Sequence, residues 1–414
     1  MKKILFLIIF VASFGLFADI DASLKPIYIY YENGQLSVEK NYKDDKLDGP
    51  FKAWYEDGQI EQDGFYKEDK ENLAWTFWYA NGQKSSQVNF IDGNKDGEGT
   101  VWNSMGQITS KPIYEKGTLL SEIRYTYHNN GALKSEDNYI SEVLNGSVTS
   151  WWENGKLSVE KNYKDDKLDG PFKAWYEDGQ IEQDGFYKED KENLAWTFWY
   201  ANGQKSSQVN FIDGNKDGEG TVWNSMGQIT SKPIYEKGTL LSEIRYTYHN
   251  NGALKSEDNY ISEVLNGSVT SWWENGKLSV EKNYKDDKLD GPFKAWYVDG
   301  QIDHQGLYKE ALMQGKWQFW FDNGQKFAEG FYLNEKPTGK WTFWKKNGQK
   351  KNEDYYNNGN LMSQIKFEYR FLSSQLKSKK SYKDGYKDGA WVYWNRDGSI
   401  IEMDYKKGEC VNSC

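Results

Sequence analysis

The clearest metal-binding pattern in the chain is the stretch DGNKDGEG, Asp92 to Gly99, which recurs unchanged 121 residues later. A calcium loop begins with oxygen ligands at its first, third and fifth positions and a glycine at its sixth, and Asp92, Asn94, Asp96 and Gly97 fit that start. The twelfth position holds Asn103 rather than Glu, and no helices flank the stretch. The pattern therefore favours an acidic, solvent-exposed loop, with calcium as the alternative, and the sequence predicts no cofactor.

The histidines and cysteines offer little for catalysis. His128 and His249 are copies of one turn residue, His304 lies near another turn, and none has a Cys or a second His at ligand spacing. We interpret all three as solvated turn residues. Cys410 and Cys414 could close a small disulfide loop in an exported protein. With no phosphate loop, nucleophile elbow or metalloprotease helix, the sequence predicts that the protein is not an enzyme.

Aromatic residues recur in rows and are the strongest candidates for binding. Exposed Trp and Tyr rings can stack on sugars, which would make the chain a carbohydrate- or cell-wall-binding array; alternatively, the rings hold hairpins together. The repeat positions that define these rows and their turns are Trp54, Gly58, Tyr66, Trp78, Gly82, Phe90, Trp320, Gly324, Tyr332, Trp344, Gly348 and Tyr356.

These rows follow a repeat within a repeat. Residues Leu36–Tyr176 are identical to Leu157–Tyr297, and inside this long period turn glycines recur about every 24 residues, giving sixteen units. An aromatic residue stands four positions before almost every turn and another stands eight after it. In one unit Ser374 takes the turn position, and Arg370 then breaks the aromatic row. Such self-similarity is typical of a modular repeat architecture.

Each unit is interpreted as strand, turn, strand and linking loop. FKAWY is β-prone, EDG or ANG is a hairpin turn, and segments such as KEDKEN link one hairpin to the next. A three-residue turn ending in a left-handed Gly is favoured, because it would place Trp54, Ile60 and Tyr66 on one face and Trp75 on the other. The predicted fold is all-β: an elongated, single-layer antiparallel sheet of about sixteen stacked 24-residue hairpins.

The ends and the charge of the chain indicate where it acts. MKK followed by the apolar stretch Ile4–Ala18 predicts a cleaved export signal, and hence a periplasmic, cell-surface or extracellular protein with no membrane span after cleavage. A net charge of −10 argues against nucleic-acid binding. The predicted organisation is a signal peptide (1–18), a repeat array (19–406) of two near-identical blocks (36–156 and 157–277) and a diverged block (278–406), and a tail (407–414).

The units, with DGPFKAWYEDGQIEQDGFY as the clearest, resemble the bacterial variant of MORN repeats, often labelled YwqK-family antitoxin-like. The resemblance covers nearly all of the chain after the export signal. It implies successive hairpins that serve as a scaffold or interaction surface, and the antitoxin label implies a partner toxin. The leading hypothesis is an exported, non-enzymatic scaffold that binds a protein not identified by the sequence, and the alternative is binding of glycans through the aromatic rows.

Overall fold

The computed structural model describes residues 23–371 and 373–413, and all of their regular structure is β-strand. The predicted export signal lies outside the described residues, as does Cys414. No helix in the described ranges could cross a membrane. The all-β prediction is confirmed.

The described strands are mostly eight or nine residues long, and tight turns join them. In the first half of the chain they are β1 Lys25–Tyr30, β2 Leu36–Lys43, β3 Lys46–Trp54, β4 Ile60–Lys67, β5 Lys70–Trp78, β6 Lys84–Ile91, β7 Asn94–Trp102, β8 Ile108–Glu115, β9 Thr118–Tyr127, β10 Leu133–Ile140, β11 Val143–Trp151, β12 Leu157–Lys164, β13 Lys167–Trp175, β14 Ile181–Lys188, β15 Lys191–Trp199, β16 Lys205–Ile212, β17 Asn215–Lys216, β18 Gly218–Glu219 and β19 Thr221–Trp223. In the second half they are β20 Ile229–Glu236, β21 Thr239–Tyr248, β22 Leu254–Ile261, β23 Val264–Trp272, β24 Leu278–Lys285, β25 Lys288–Leu289, β26 Gly291–Trp296, β27 Ile302–Lys309, β28 Leu312–Trp320, β29 Lys326–Leu333, β30 Lys336–Trp344, β31 Lys350–Asn357, β32 Asn360–Tyr369, β33 Leu376–Lys383, β34 Tyr386–Trp394, β35 Ile400–Lys406 and β36 Glu409–Ser413.

Residue contacts divide the chain into two units. The first unit comprises the chain up to Ile181 together with Phe186–Lys191. The second unit comprises Glu182–Gly185 together with the chain from Glu192 onward. Within each unit the strands pair antiparallel with their neighbours in sequence, as in β2–β3–β4 of the first and β28–β29–β30 of the second. The short strands β17 to β19 together take the place of one strand beside β16 and β20, and β25 with β26 takes the place of one strand beside β24. The order of the strands in the sheet is therefore their order in the chain, and the sheet is open, as predicted.

The glycine turns have the predicted three-residue form. The Tyr79 amide donates to the Gln83 carbonyl at 2.8 Å, and the Gly82 amide donates to the Tyr79 carbonyl at 2.9 Å. Gly82 has φ +82°, which glycine adopts without the clash that a Cβ would cause. This is a type I turn followed by a left-handed residue, a common hairpin loop.

The predicted grouping of side chains on the two faces is wrong. Trp54 pairs with Ile60, but Ala53 pairs with Gln62, so residue 61 forms a β-bulge. The extra residue reverses the alternation of the returning strand, because side-chain direction has a period of two. Tyr66 consequently lies on the face opposite Trp54 and shares its own face with Trp75.

The predicted linking loops are also wrong, because two-residue turns take their place. Asp44 and Asp45 join β2 to β3 with φ values of +49° and +61°, and Glu68 and Asp69 join β4 to β5 with +47° and +68°. Two consecutive left-handed residues define a type I′ turn, whose twist matches that of the flanking strands. The residues expected to form loops are thus mostly strand.

Arg370 breaks the aromatic row for a simple reason. Its amide donates to the Gln375 carbonyl, so this turn is one residue longer and Tyr369 takes the Trp position by pairing with Leu376. Nη2 of Arg370 donates to the Trp394 carbonyl at 2.7 Å, the bond that a tyrosine makes elsewhere.

The strand before most of the glycine turns also contains a bulge, and in two repeats a leucine at this bulge offers a site for stabilising substitutions. Nine residues before the turn glycine most units have a glycine with positive φ, such as Gly49 and Gly97, but Leu73 and Leu194 adopt φ +61° there. A left-handed non-glycine residue costs about 1–2 kcal/mol. Because Leu73 is 60 % exposed, little packing would be lost with its side chain.

We expect the double variant Leu73→Gly with Leu194→Gly to have a higher melting temperature than the wild type. Relief of the left-handed strain exceeds the entropic cost of glycine, so the free energy of unfolding should rise by up to about 1 kcal/mol per site. The matched control is Leu333→Gly, at an exposed strand position without positive φ, which should lower it. A parallel fall in both variants, measured by thermal unfolding, would show that the leucines are not strained.

Candidate functional site

Two faces of the sheet carry the aromatic rows. We call the face that bears Phe51, Tyr66, Trp75 and Phe77 the aromatic face, and the face that bears the Trp residues four positions before each turn the tryptophan face. The alternation along each strand, corrected for the bulges, assigns every repeat position to one of them.

Rings of the aromatic face pack on one another. Trp75 lies 5.5 Å from Phe51, 5.0 Å from Tyr66 and 6.0 Å from Phe77 between ring centroids, and it is only 2 % exposed. Its indole fills the space left by Gly64, where a Cβ would lie 2.2 Å from the ring. These contacts favour the hypothesis that the rings hold hairpins together.

His304 belongs to this packing and is not a solvated turn residue. It lies in β27, half-buried, with its ring stacked 5.2 Å from Phe293 and 5.9 Å from Phe319. Its Nδ1 is 3.1 Å from a carboxylate oxygen of Asp303. The β-bulge explains the error, because it turns this position toward the aromatic face.

His128 and His249 each link two neighbouring 24-residue repeats. Nε2 of His128 lies 2.8 Å from the Trp151 carbonyl, in the place where the Tyr79 hydroxyl donates to the Trp102 carbonyl, also at 2.8 Å. His249 repeats the contact. These histidines are half-buried substitutes for a tyrosine, so their prediction as solvated residues is wrong.

Rings of the tryptophan face are half-buried beneath lysines. Lys84 Nζ lies 5.7 Å from the Trp102 ring, and Lys326 Nζ lies 5.5 Å from the Trp344 ring. A cation over the indole face is favourable, and the alkyl stem of the lysine covers apolar surface. The same ring faces would have to stack on a sugar, so this arrangement weakens the glycan alternative.

An apolar cavity opens on the aromatic face of the third block, and we call it the Trp341 pocket. Its volume is about 260 Å³. Trp341 is buried at its base, whereas Phe327 is 41 % exposed. The lining residues are Phe319, Phe327, Ala328, Tyr332, Pro337, Trp341, Phe343 and Tyr356.

Sequence repeat positions account for only part of the Trp341 pocket. Tyr332 and Tyr356 are predicted row members, and burial raises the pKa of both hydroxyls. Phe327 was missed, although a signal exists: the preceding units carry Ser, Glu, Thr, Lys or Asp three residues after the turn glycine, and this unit carries Phe.

Two matching grooves lie in the near-identical blocks. One, of about 600 Å³, is lined by Glu98, Lys111 and Ile113 among others, and the other, of about 730 Å³, has their counterparts 121 residues later. One groove lies beside β9 and the other beside β21. Neither strand contains the positive-φ glycine that most other repeats have nine residues before the turn glycine. They are more polar than the Trp341 pocket.

The calcium candidates Asp92, Asn94 and Asp96 form a turn and make hydrogen bonds to backbone groups. Asp92 is the first residue of a type I′ turn at φ +50°, and Asn94 Nδ2 donates to its carbonyl at 3.3 Å. Asp96 accepts the Lys116 amide of the next turn at 3.0 Å. Within residues 23–371 and 373–413, no three His, Cys, Asp or Glu side chains gather in a way that could hold a metal.

The remaining predicted positions are placed as follows. Trp320 and Trp344 lie on the tryptophan face, and Gly324 and Gly348 close turns at φ +79° and +80°. Cys410 is an exposed thiol in β36. Its disulfide with Cys414 stays a prediction.

Three solved structures align with most of this chain, at low sequence identity. The crystal structures of TcdB2-TccC3, TcdB2-TccC3-TEV and TcdB2-TccC3-Cdc42 align with 94 % of this chain at 12 % identity and TM-scores of 0.17 to 0.19. The chain spans 22 to 23 % of the length of those chains. The comparison with curated proteins finds no match.

A family model describes part of the repeat array. The model of the MORN repeat variant matches residues 27–44, 47–68, 71–92, 144–165, 168–189, 192–213, 265–286 and 313–334. Seven of the eight matches run from the strand before a glycine turn through the returning strand and its type I′ turn, and the first covers the same hairpin less completely. In these eight segments the chain is similar to the MORN repeat variant.

Proposed function

We propose that this chain is an exported, non-enzymatic repeat scaffold that binds another protein, with the Trp341 pocket as the anchor point. The observation that carries the proposal is the pocket itself: six aromatic rings surround an apolar opening on the aromatic face. Protein interfaces concentrate their binding energy where a large side chain fills such a pocket.

The repeats support a scaffold role. Each unit is held by its neighbours through ring contacts and through bonds such as those from the Tyr55 hydroxyl to the Trp78 carbonyl and from the Tyr79 hydroxyl to the Trp102 carbonyl. A surface assembled from near-identical units suits binding along its length.

An antitoxin-like role is the special case in which the bound protein is a toxin. The resemblance to YwqK-family repeats suggests it, and the predicted export signal argues against it, because an antitoxin of this type would act in the cytoplasm.

Crosslinking in the native cell tests the proposal. We expect one protein to copurify stoichiometrically with the wild type, and Phe327→Asp to reduce its recovery about tenfold by placing a charge in the pocket. The control is Phe371→Asp, the same change at a side chain that is 92 % exposed.

Two results would contradict the proposal. One is equal recovery of the partner with both variants. The other is retention of the purified chain on isolated cell walls with no protein partner, which would support the glycan alternative.

A further inference from the structure

The third block carries a row of paired lysines on its tryptophan face. Glu329 accepts from Lys326 at 2.9 Å and lies 3.5 Å from Lys316. In the next hairpin Glu353 lies 2.9 Å from Lys340 and 2.7 Å from Lys350. Two ammonium groups thus share each carboxylate, so each of these two clusters carries one excess positive charge.

Exposed aromatic rings lie directly across from two of these lysines. Lys316 pairs with Phe331 across β28 and β29, and Lys340 pairs with Tyr355 across β30 and β31. Phe331 is 49 % exposed and Tyr355 is 37 % exposed. The lysine side chains are themselves 52 % and 47 % exposed. Strands β28 to β31 therefore carry Lys316, Phe331, Lys340 and Tyr355 in turn on one accessible face, and we call these four residues the basic aromatic row. Phe331 pairs with Thr338, two residues before Lys340 in β30.

The charge of this part of the chain differs from that of the rest. Residues 313–414 contain 18 Lys and Arg against 12 Asp and Glu, a formal charge of +6, whereas the whole chain has −10. In the first block, Pro50 and Ala74 stand at the strand positions of the row's lysines. The row is therefore particular to the diverged block.

We propose that the basic aromatic row binds an extended acidic segment of the protein partner. Lys316 and Lys340 are two strands apart, roughly 10 Å. An extended peptide in the polyproline II conformation has three residues per turn and rises about 3.1 Å per residue, so its residues i and i+3 lie on one side at about that spacing. Carboxylates at that spacing would pair with both lysines, and an apolar residue between them would lie on Phe331. This inference rests on the proposed function and names the surface and the chemistry of the partner.

Binding of a defined probe tests the inference. The probe is a fluorescein-labelled peptide of repeated Glu-Glu-Phe triplets, and fluorescence anisotropy measures its affinity for the full chain. Charge reversal by Lys316→Glu with Lys340→Glu should weaken binding about tenfold, and added salt should weaken it further. The control pair Lys46→Glu with Lys167→Glu, of equal charge change in the first two blocks, should leave it unchanged.

Milder substitutions are needed as well, because charge reversal could disturb the fold. Glu353 is only 8 % exposed, and a second carboxylate beside it would disturb β31. Lys316→Gln with Lys340→Gln, and separately Phe331→Ala, should each weaken binding several-fold while the circular dichroism stays native. Equal weakening by the control pair, or tighter binding to the acidic polysaccharide hyaluronan than to the peptide, would overturn the inference. If the row variants still crosslink the native partner and Phe327→Asp does not, the proposed function stands and this inference fails.

Discussion

Gly306→Ala is expected to destabilise the third block by about 3 kcal/mol, the upper end of the usual cost of overpacking. A Cβ at this position would lie 2.1 Å from Cδ2 of Trp317, far inside van der Waals contact. Trp317 has no exposed surface and is fixed by Tyr308 at 5.2 Å and Phe319 at 6.0 Å between ring centroids. The ring cannot move aside, so the backbone must.

Two comparisons isolate the ring overlap. Gly155→Ala adds a Cβ with nothing within 4 Å and should cost only the left-handed penalty of about 1 kcal/mol. In a Trp317→Val background, Gly306→Ala should cost almost nothing, because the ring is gone. Hydrogen exchange in β27 and β28, together with thermal unfolding, measures the effect. Equal costs for Gly306→Ala in both backgrounds would contradict the packing described here.

The second large effect is unfolding in base. Burial raises the pKa of Tyr297 to about 12, helped by the carboxylate of Asp303, and the hydroxyl donates to the Trp320 carbonyl at 2.7 Å. Burial likewise raises the pKa of many other tyrosines: Tyr55, Tyr66, Tyr127, Tyr235, Tyr246, Tyr248, Tyr308, Tyr332, Tyr356 and Tyr393.

The direction of the effect follows from proton linkage. A tyrosine whose pKa is higher in the folded state than the usual value of about 10 keeps its proton while the unfolded chain loses it. The stability is therefore fully present below pH 10 and falls as the pH rises from about 10 toward 12. With so many such groups, we expect cooperative unfolding in that interval.

Circular dichroism and tyrosinate absorbance, recorded along one base titration, check this expectation. The tyrosinate absorbance of the eleven tyrosines with raised pKa should appear together with the loss of β-type circular dichroism, because the folded sheet holds these hydroxyls in their protonated form. Tyr297→Phe should shift the midpoint to higher pH if folding tolerates the lost hydrogen bond. Tyrosinate absorbance that reaches its full value for all thirty tyrosines while the β-structure persists would show that the buried hydroxyls ionise in the folded protein.

The sequence predicts the fold class and period because one turn phrase repeats. The glycine of each turn needs a positive φ that few other residues tolerate, so its spacing marks the hairpins directly, as at Gly58 and Gly82. The three-residue loop follows from the same argument. The exact 121-residue duplication adds the modular organisation.

The assignment of faces could not be predicted in the same way. A single bulged residue after Ile60 reverses every later side chain of its strand, and no residue type marks that bulge. Asp-Asp and Glu-Asp pairs conceal some of the type I′ turns, as at Asp44 and Asp45, whereas others carry the usual pair, as at Asp92 and Gly93 or Asn358 and Gly359.

The candidate site was hidden for related reasons. Phe327 and Phe331 lie outside the predicted rows, and the lysine pairs only become visible once strand register sets Lys316 opposite Phe331. His304 was misplaced by the bulge. Spacing along the chain identifies the residues that repeat, whereas both proposed binding surfaces lie where the third block departs from the repeat.

The most direct test of the modular sheet is deletion of residues 158–278, which removes one 121-residue period and leaves every junction with a sequence that already exists in the chain. Because each hairpin is held by its neighbours, the shortened protein is predicted to keep the β-type circular dichroism per residue and to show unchanged hydrogen exchange in the hairpins of the third block. A deletion variant that is unfolded, or that loses protection in the third block, would contradict the account.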